Sequence, residues 1–264
     1  MIFTRAGLTI LEIGGPEMTL TNELVSVRDL TKSFPGARGG DPVPVLRGIT
    51  LSVGRGELVA VVGPSGSGKS TLLYCLSGLE PATSGAVRIL EQDIAGLSRG
   101  ALAKLRRDHV GFVFQAYNLI PSLTARENVA LPARLAKREI GAADVDRALA
   151  QVGLSERAGY RPAALSGGQQ QRVAIARVLA VRPDVVFADE PTGALDTEAG
   201  AQVLGLLREV AAGPRSVIMV THDVQAAARA DRVFVLRDGS VHRELTRPSA
   251  DEVFAALAHA GSQV

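Results

Sequence analysis

The chain has 264 residues, of which 46% are hydrophobic, and a formal net charge of +2. That length and apolar content suffice for one α/β domain, or one domain with a subdomain, and exclude disorder as the main state. No Lys/Arg block dominates any segment, so a nucleic-acid partner is not expected.

Cys75 is the only cysteine. No intramolecular disulfide can form, and its apolar setting between Thr71 and Leu79 reads as packing in a reducing compartment. No stretch approaches the ~18 uninterrupted apolar residues that cross a membrane. The apolar run within Met1 to Glu17 is short and broken by Glu12, which is unlike a secretory signal. The chain is expected to be soluble, so any membrane span must come from another chain.

In chain order, Leu24 to Phe34 reads as a strand, and the Gly/Pro-rich stretch Pro35 to Pro44 as a surface loop. Val45 to Val53 alternates like a half-buried strand. Leu58 to Val62 is a short apolar run of the buried-strand kind. Lys69 to Ser77 is predicted helical, with Gly78 as its stop, and 86–91 and 110–114 are predicted strands. From about Asn118 to Tyr160 the pattern turns helical. Thr124 and Glu127 form a capping box there, and Ala142 to Val152 is amphipathic. Beyond Pro162, strands at Val185 to Ala188, Ser216 to Val220 and Arg232 to Leu236 alternate with helical segments. This is the rhythm of a parallel sheet covered by helices.

Three elements carry chemistry. Gly63-Pro64-Ser65-Gly66-Ser67-Gly68-Lys69-Ser70-Thr71 fits a phosphate-binding loop between a strand and a helix. Its glycines let backbone N–H groups approach phosphates closely, and the helix N-terminus adds its positive dipole end. Lys69 would reach the outer phosphates, and the Ser70 hydroxyl would ligate Mg²⁺. The apolar run from Val185 then ends in Asp189 and Glu190. Asp189 would hold Mg²⁺ through water, and Glu190 would polarise the attacking water. Third, Leu165-Ser166-Gly167-Gly168-Gln169 opens an Ala/Val-rich helix, Gln170 to Ala180, another anion-ready helix start.

In this order, these elements resemble the ABC ATPase family over about residues 23–242, and LSGGQ resembles its signature motif. The resemblance implies an α/β fold with a phosphate-loop NTPase core of mostly parallel strands, an antiparallel β subdomain and an inserted helical subdomain at about 116–165. It implies an ATPase domain at 23–245 with a helical tail at 246–264. It implies ATP and Mg²⁺ as ligands, with Lys69, Glu190 and His222 as catalytic residues and Ser70, Gln115 and Asp189 at the metal. Phe34 resembles the aromatic that stacks on adenine, and Gln115 the glutamine coupling the metal site to the helical subdomain. His222 resembles the switch histidine at the γ-phosphate. Asp196 resembles the D-loop aspartate, although Gly193 stands where that loop usually begins with Ser. Ser166, Gly167, Gly168 and Gln169 would face the ATP held by a second subunit, so a homodimer is implied.

Gly111 to Gln115, Asn118 to Thr124 and Ala188 to Asp196 are similar to the group of macrolide-export, lipoprotein-releasing and cell-division ATPases. That similarity implies a permease with few transmembrane helices and a large extracytoplasmic domain. The chain would then sit on the cytoplasmic face of the membrane, with the segment Gln115 to Leu131 (Leu119, Ile120 and Leu123 within it) docking the permease. Cytosolic ABC ATPases of DNA repair or the ribosome usually carry a long coiled coil, zinc cysteines or two nucleotide domains, none of which this sequence has. A non-hydrolysing sensor is disfavoured by Lys69, Glu190 and His222. Residues 1–22 read as a disordered extension, and Met18 as an alternative start.

Overall fold

The computed structural model describes residues 23–36, 39–193 and 195–261. The expected extension and the alternative start at Met18 lie outside the described residues.

Two sheets share the chain. The first is antiparallel, in the order β2-β1-β4-β5. It is built from β1 (Glu23–Phe34), β2 (Val43–Gly54), β4 (Ser84–Ile89) and the short β5 (Gln92–Asp93). The second has the order β10-β9-β3-β8-β7-β6. Its strands are β3 (Leu58–Val62), β6 (Val110–Val113), β7 (Val185–Asp189), β8 (Ser216–Val220), β9 (Arg232–Arg237) and β10 (Ser240–Thr246). β6, β7, β8, β3 and β9 run parallel to their neighbours, and β10 returns antiparallel.

The central strands β3, β7 and β8 are buried at every position. They are apolar on both faces because both faces are covered. One face carries Ala60, Val62, Val186, Ala188 and Met219, packed against α3 (Ala125–Leu135), α4 (Ala142–Gln151), α5 (Gly167–Val181), α6 (Thr197–Val210), α7 (Val224–Ala227) and α8 (Ala250–Gly261). The other carries Val59, Val61, Phe187, Ile218 and Val220, packed against α1 (Lys69–Leu76), α2 (Arg99–His109) and the antiparallel sheet. Cys75 is buried on this side, and burial pushes its thiol up to about 11, as expected of an inert packing group.

Several boundaries differ from expectation. β2 begins at Val43, inside the stretch read as loop, because Val43 and Pro44 pair with Phe34 and Ser33. β4 ends at Ile89, since Leu90 and Glu91 take positive φ and turn the chain into β5. α2 was not expected; it is rich in basic residues, and its narrow apolar stripe rests on buried Leu105 and partly buried Leu102. The edge strand β10 is mostly polar and half-exposed, which hides it likewise.

Two helix starts are closed by capping boxes. At α3, the Thr124 hydroxyl accepts from Glu127 N at 3.2 Å while Glu127 Oε2 accepts from Thr124 N at 2.8 Å. At α5, Ser166 Oγ accepts from Gln169 N at 3.3 Å while Gln169 Oε1 accepts from Ser166 N at 3.0 Å. Each satisfies two otherwise orphaned backbone donors.

Candidate functional site

The loop between β3 and α1 is shaped by what its glycines avoid. A Cβ on Gly63 would come within 2.3 Å of the Leu236 carbonyl oxygen and 2.7 Å of Ser67 Oγ. Gly68 has φ 96°, and a Cβ there would lie 2.9 Å from a Leu46 methyl. The loop is thus pressed against β9 and β2 by residues with no side chain to intrude.

The loop's outer residues Ser65, Gly66, Gly68, Lys69, Ser70 and Thr71 border a cleft of about 490 Å³. Across it stand Gln115, Asp189, Glu190 and His222, and Val45 of β2 closes one side. These groups come from the ends of parallel strands: Gln115 follows β6, Asp189 closes β7, and His222 follows β8. Parallel strands carry their following loops at one sheet edge, where open α/β sheets bind ligands.

Lys69 Nζ donates to the carbonyl oxygens of Gly63 and Pro64, each at 2.9 Å. Burial pulls its ammonium below the ordinary lysine range, against the attraction of Glu190 and then Asp189. The cation is therefore held by neutral acceptors beside open space, an arrangement an anionic phosphate would complete. Ser67 Oγ is buried without a hydrogen-bond partner, a further vacant polar valence at the same loop.

Asp189 is nearly buried and takes two donors: the Ser70 hydroxyl at 3.2 Å to Oδ1 and the Tyr74 hydroxyl at 2.8 Å to Oδ2. A serine hydroxyl facing a carboxylate is an all-oxygen donor pair of the kind Mg²⁺ takes, few in number and completed by water and phosphate. These residues fit the ion. Tyr74 was not singled out in the sequence, although it follows Ser70 by one helical turn and so shares its face of α1.

Glu190 has φ 46°, an uncommon conformation for a non-glycine residue and one that collects at functional sites. Its N–H donates to Val220 O at 2.9 Å, and its carboxylate Oε2 lies 2.9 Å from His222 Nδ1. The strained turn aims the carboxylate into the cleft beside the histidine.

Residues 46–193, which hold the phosphate loop and the Asp189–Glu190 strand, match the model of the family described as ABC transporter. The chain belongs to the ABC transporter family. It is 49% identical over 222 residues to the macrolide export ATP-binding/permease protein MacB of Shigella flexneri, covering 83% of this chain. The corresponding protein of Escherichia coli K12 is 48% identical over the same length. The cassette spans about a third (34%) of the length of these curated relatives. Among solved structures, the ATP-binding cassette MJ0796, a dimer in a post-hydrolysis state bound to ADP and Pi, superposes with a TM-score of 0.79 at 39% identity. That match covers 85% of this chain and 99% of the other. The cbiO1 subunit of the Clostridium perfringens cbiONQ transporter complex gives a TM-score of 0.76 at 31% identity, covering 89% and 91%.

Other residues singled out in the sequence lie away from the cleft floor. Phe34 ends β1 as an exposed ring, paired with Val43, two residues before the cleft-lining Val45. Ser166, Gly167, Gly168 and Gln169 form the start of α5 and do not border the cleft. Asp196 caps α6, its carboxylate accepting from Ala199 N at 2.8 Å. Among the described residues, no helix is long and apolar enough to cross a membrane.

Proposed function

We propose that this ABC ATPase acts as a homodimer that closes on two ATP molecules and drives a membrane permease. The observation that carries the reading is a division within one chain. Lys69, Ser70, Asp189, Glu190, Gln115 and His222 share one cleft, while the glycine-rich start of α5 stands outside it. A second copy would bring its Ser166 to Gln169 to the open side, and the dimeric state of the MJ0796 cassette supports this pairing.

In that arrangement Phe34 stacks on the base. Backbone N–H groups of Gly66 to Thr71 and the Lys69 ammonium hold the phosphates. Ser70, Gln115 and (through water) Asp189 would hold Mg²⁺, which would neutralise charge on the phosphates. Glu190 accepts a proton from the attacking water, and His222 orients Glu190 and the γ-phosphate. Asp196 lies at the contact between subunits.

The permease, with few transmembrane helices and a large extracytoplasmic domain, places the cassette on the cytoplasmic membrane face. Its docking site is an apolar groove of about 390 Å³ lined by Phe112, Phe114, Leu131, Leu135 and Val178, beside Gln115. Leu135 is 69% exposed there, and Ile120, which is not part of the groove lining, is 42% exposed. Leu119 is partly buried against the core, so it offers less surface to a partner than Ile120 does.

Mixed dimers test this reading. Lys69→Ala and Ser166→Arg chains should each be inactive alone. Mixed, they form dimers in which one site keeps both an intact phosphate loop and an intact signature. Recovered ATP turnover on mixing supports sites shared between subunits, and its absence with dimers formed argues against them.

A further inference from the structure

We propose that Lys32 is a positioning residue for adenine recognition, holding the Phe34 ring flat for a base to stack on; this rests on the reading that Phe34 receives the adenine. Lys32 and Phe34 stand two residues apart on β1, so the period of a strand puts both side chains on one face. The Lys32 ammonium lies over the Phe34 ring, 4.6 Å from its centroid. It is a buried charge, only 7% exposed, on a strand whose last residue is the exposed aromatic.

Such a charge needs partners, and these tie it to the phosphate-loop helix. Lys32 Nζ pairs with Glu80 Oε1 and donates to the Pro81 carbonyl at 2.8 Å. Glu80 and Leu79 come just after α1, and both backbone N–H groups donate to Tyr74 O, at 3.1 and 2.9 Å. Tyr74 is the residue whose hydroxyl holds Asp189. One short chain of contacts therefore runs from the metal-side carboxylate through the end of α1 to the ring. The ammonium occupies one ring face, so a base can stack only on the other, and the ring's tilt is set before nucleotide arrives. Pre-setting a side chain lowers the ordering cost of binding. A cation drawn to one ring face also withdraws electron density from the stacking face.

The test separates base recognition from phosphate recognition in the full chain. Affinities for Mg-ATP and for Mg-tripolyphosphate, which has no base, are measured for wild type, Lys32→Met, Lys32→Arg, Phe34→Ala and the Lys32→Met/Phe34→Ala double variant. Lys32→Met should weaken ATP binding about tenfold and leave tripolyphosphate binding unchanged. Lys32→Arg, which keeps the cation, should restore most of the loss, and the double variant should bind ATP no worse than Phe34→Ala. Equal loss for ATP and tripolyphosphate would overturn the assignment, since a merely structural lysine would affect both. If Phe34→Ala itself leaves the ratio of the two affinities unchanged, the stacking reading fails and the proposal falls with it. Should Lys32→Met not fold, Glu80→Gln loosens the ammonium without removing it and must show the same base-selective loss.

Discussion

Tyr74→Phe removes one hydroxyl and leaves the ring in place. That hydroxyl donates to Asp189 Oδ2 at 2.8 Å, while Ser70 serves Oδ1 at 3.2 Å. Asp189 is 8% exposed, so water cannot freely take over the lost bond. A hydrogen bond to a charged group contributes about 1.5–3 kcal/mol, and a buried acceptor left unpaired costs a similar amount. The expected destabilisation of the nucleotide-free chain is about 2 kcal/mol, or a fall in Tm of about 4–8 °C at this size. The same loss frees the carboxylate to rotate away from Ser70. Partners that orient metal-site carboxylates are worth about 10–100-fold in metal affinity or activity, so the Mg²⁺ concentration for half-maximal ATPase activity should rise by that order. Calorimetric melting of the free chain and a Mg²⁺ titration of turnover read the two effects separately. An unchanged Tm together with an unchanged Mg²⁺ requirement would refute the claim that Tyr74 holds Asp189.

Burial, and then the bond to Asp189, push the Tyr74 hydroxyl up to about 12 from an ordinary 10.0. The folded chain keeps this proton where the unfolded chain releases it, so the contribution is complete below pH 10 and lost as pH rises through about 12. Urea melts across that window should show a steeper decline for wild type than for Tyr74→Phe. Thr124→Ala dismantles the capping box of α3 and should cost about 1 kcal/mol, seen as a lower urea midpoint with unchanged slope. Ile120→Ser should spare the basal ATPase activity of the isolated chain and reduce its stimulation by the permease. The backbone at Ile120 stays anchored by Asn128, whose side chain bonds both Ile120 N and Ile120 O. Loss of basal activity as well would assign Ile120 to packing.

The α/β core was legible because its strands are short, apolar and bounded by glycine or acidic residues. Leu58 to Val62 and Val185 to Ala188 announce buried strands, and the residues at the end of each have a chemical signature. The capping box of Thr124 with Glu127 was equally accessible, being local in sequence, whereas Ser166 was read only as an anion-ready helix start and not as boxed by Gln169. What escaped depends on contacts between distant segments. Lys32 on β1 meets Glu80 beyond α1, and only the fold shows that a lysine there is buried. Tyr74 could have been placed near Ser70 by helical spacing, but its bond to Asp189 spans 115 residues. α2 and β10 escaped for other reasons: β10 carries mostly exposed polar residues, and the apolar stripe of α2 is narrow, resting on Leu102 and Leu105 among many charges. Gly63 to Thr71, Asp189 and Glu190 were read from the residues themselves, whereas Gln115 and His222 were singled out only through the family resemblance. Apart from it, a glutamine after β6 and a histidine after β8 carry no signal of their own.

The central claim is that ATP itself joins two copies of this chain and that Glu190 ends the union by hydrolysis. Glu190→Gln keeps the size and the His222 contact but removes the proton-accepting carboxylate. Light scattering after size exclusion, with and without Mg-ATP, measures the consequence directly. The account predicts a monomer without nucleotide and a stable dimer holding two ATP per pair of chains with it, while wild type returns to monomer as ATP is consumed. A Glu190→Gln chain that stays monomeric with ATP bound, or turns ATP over at the wild-type rate, would contradict it.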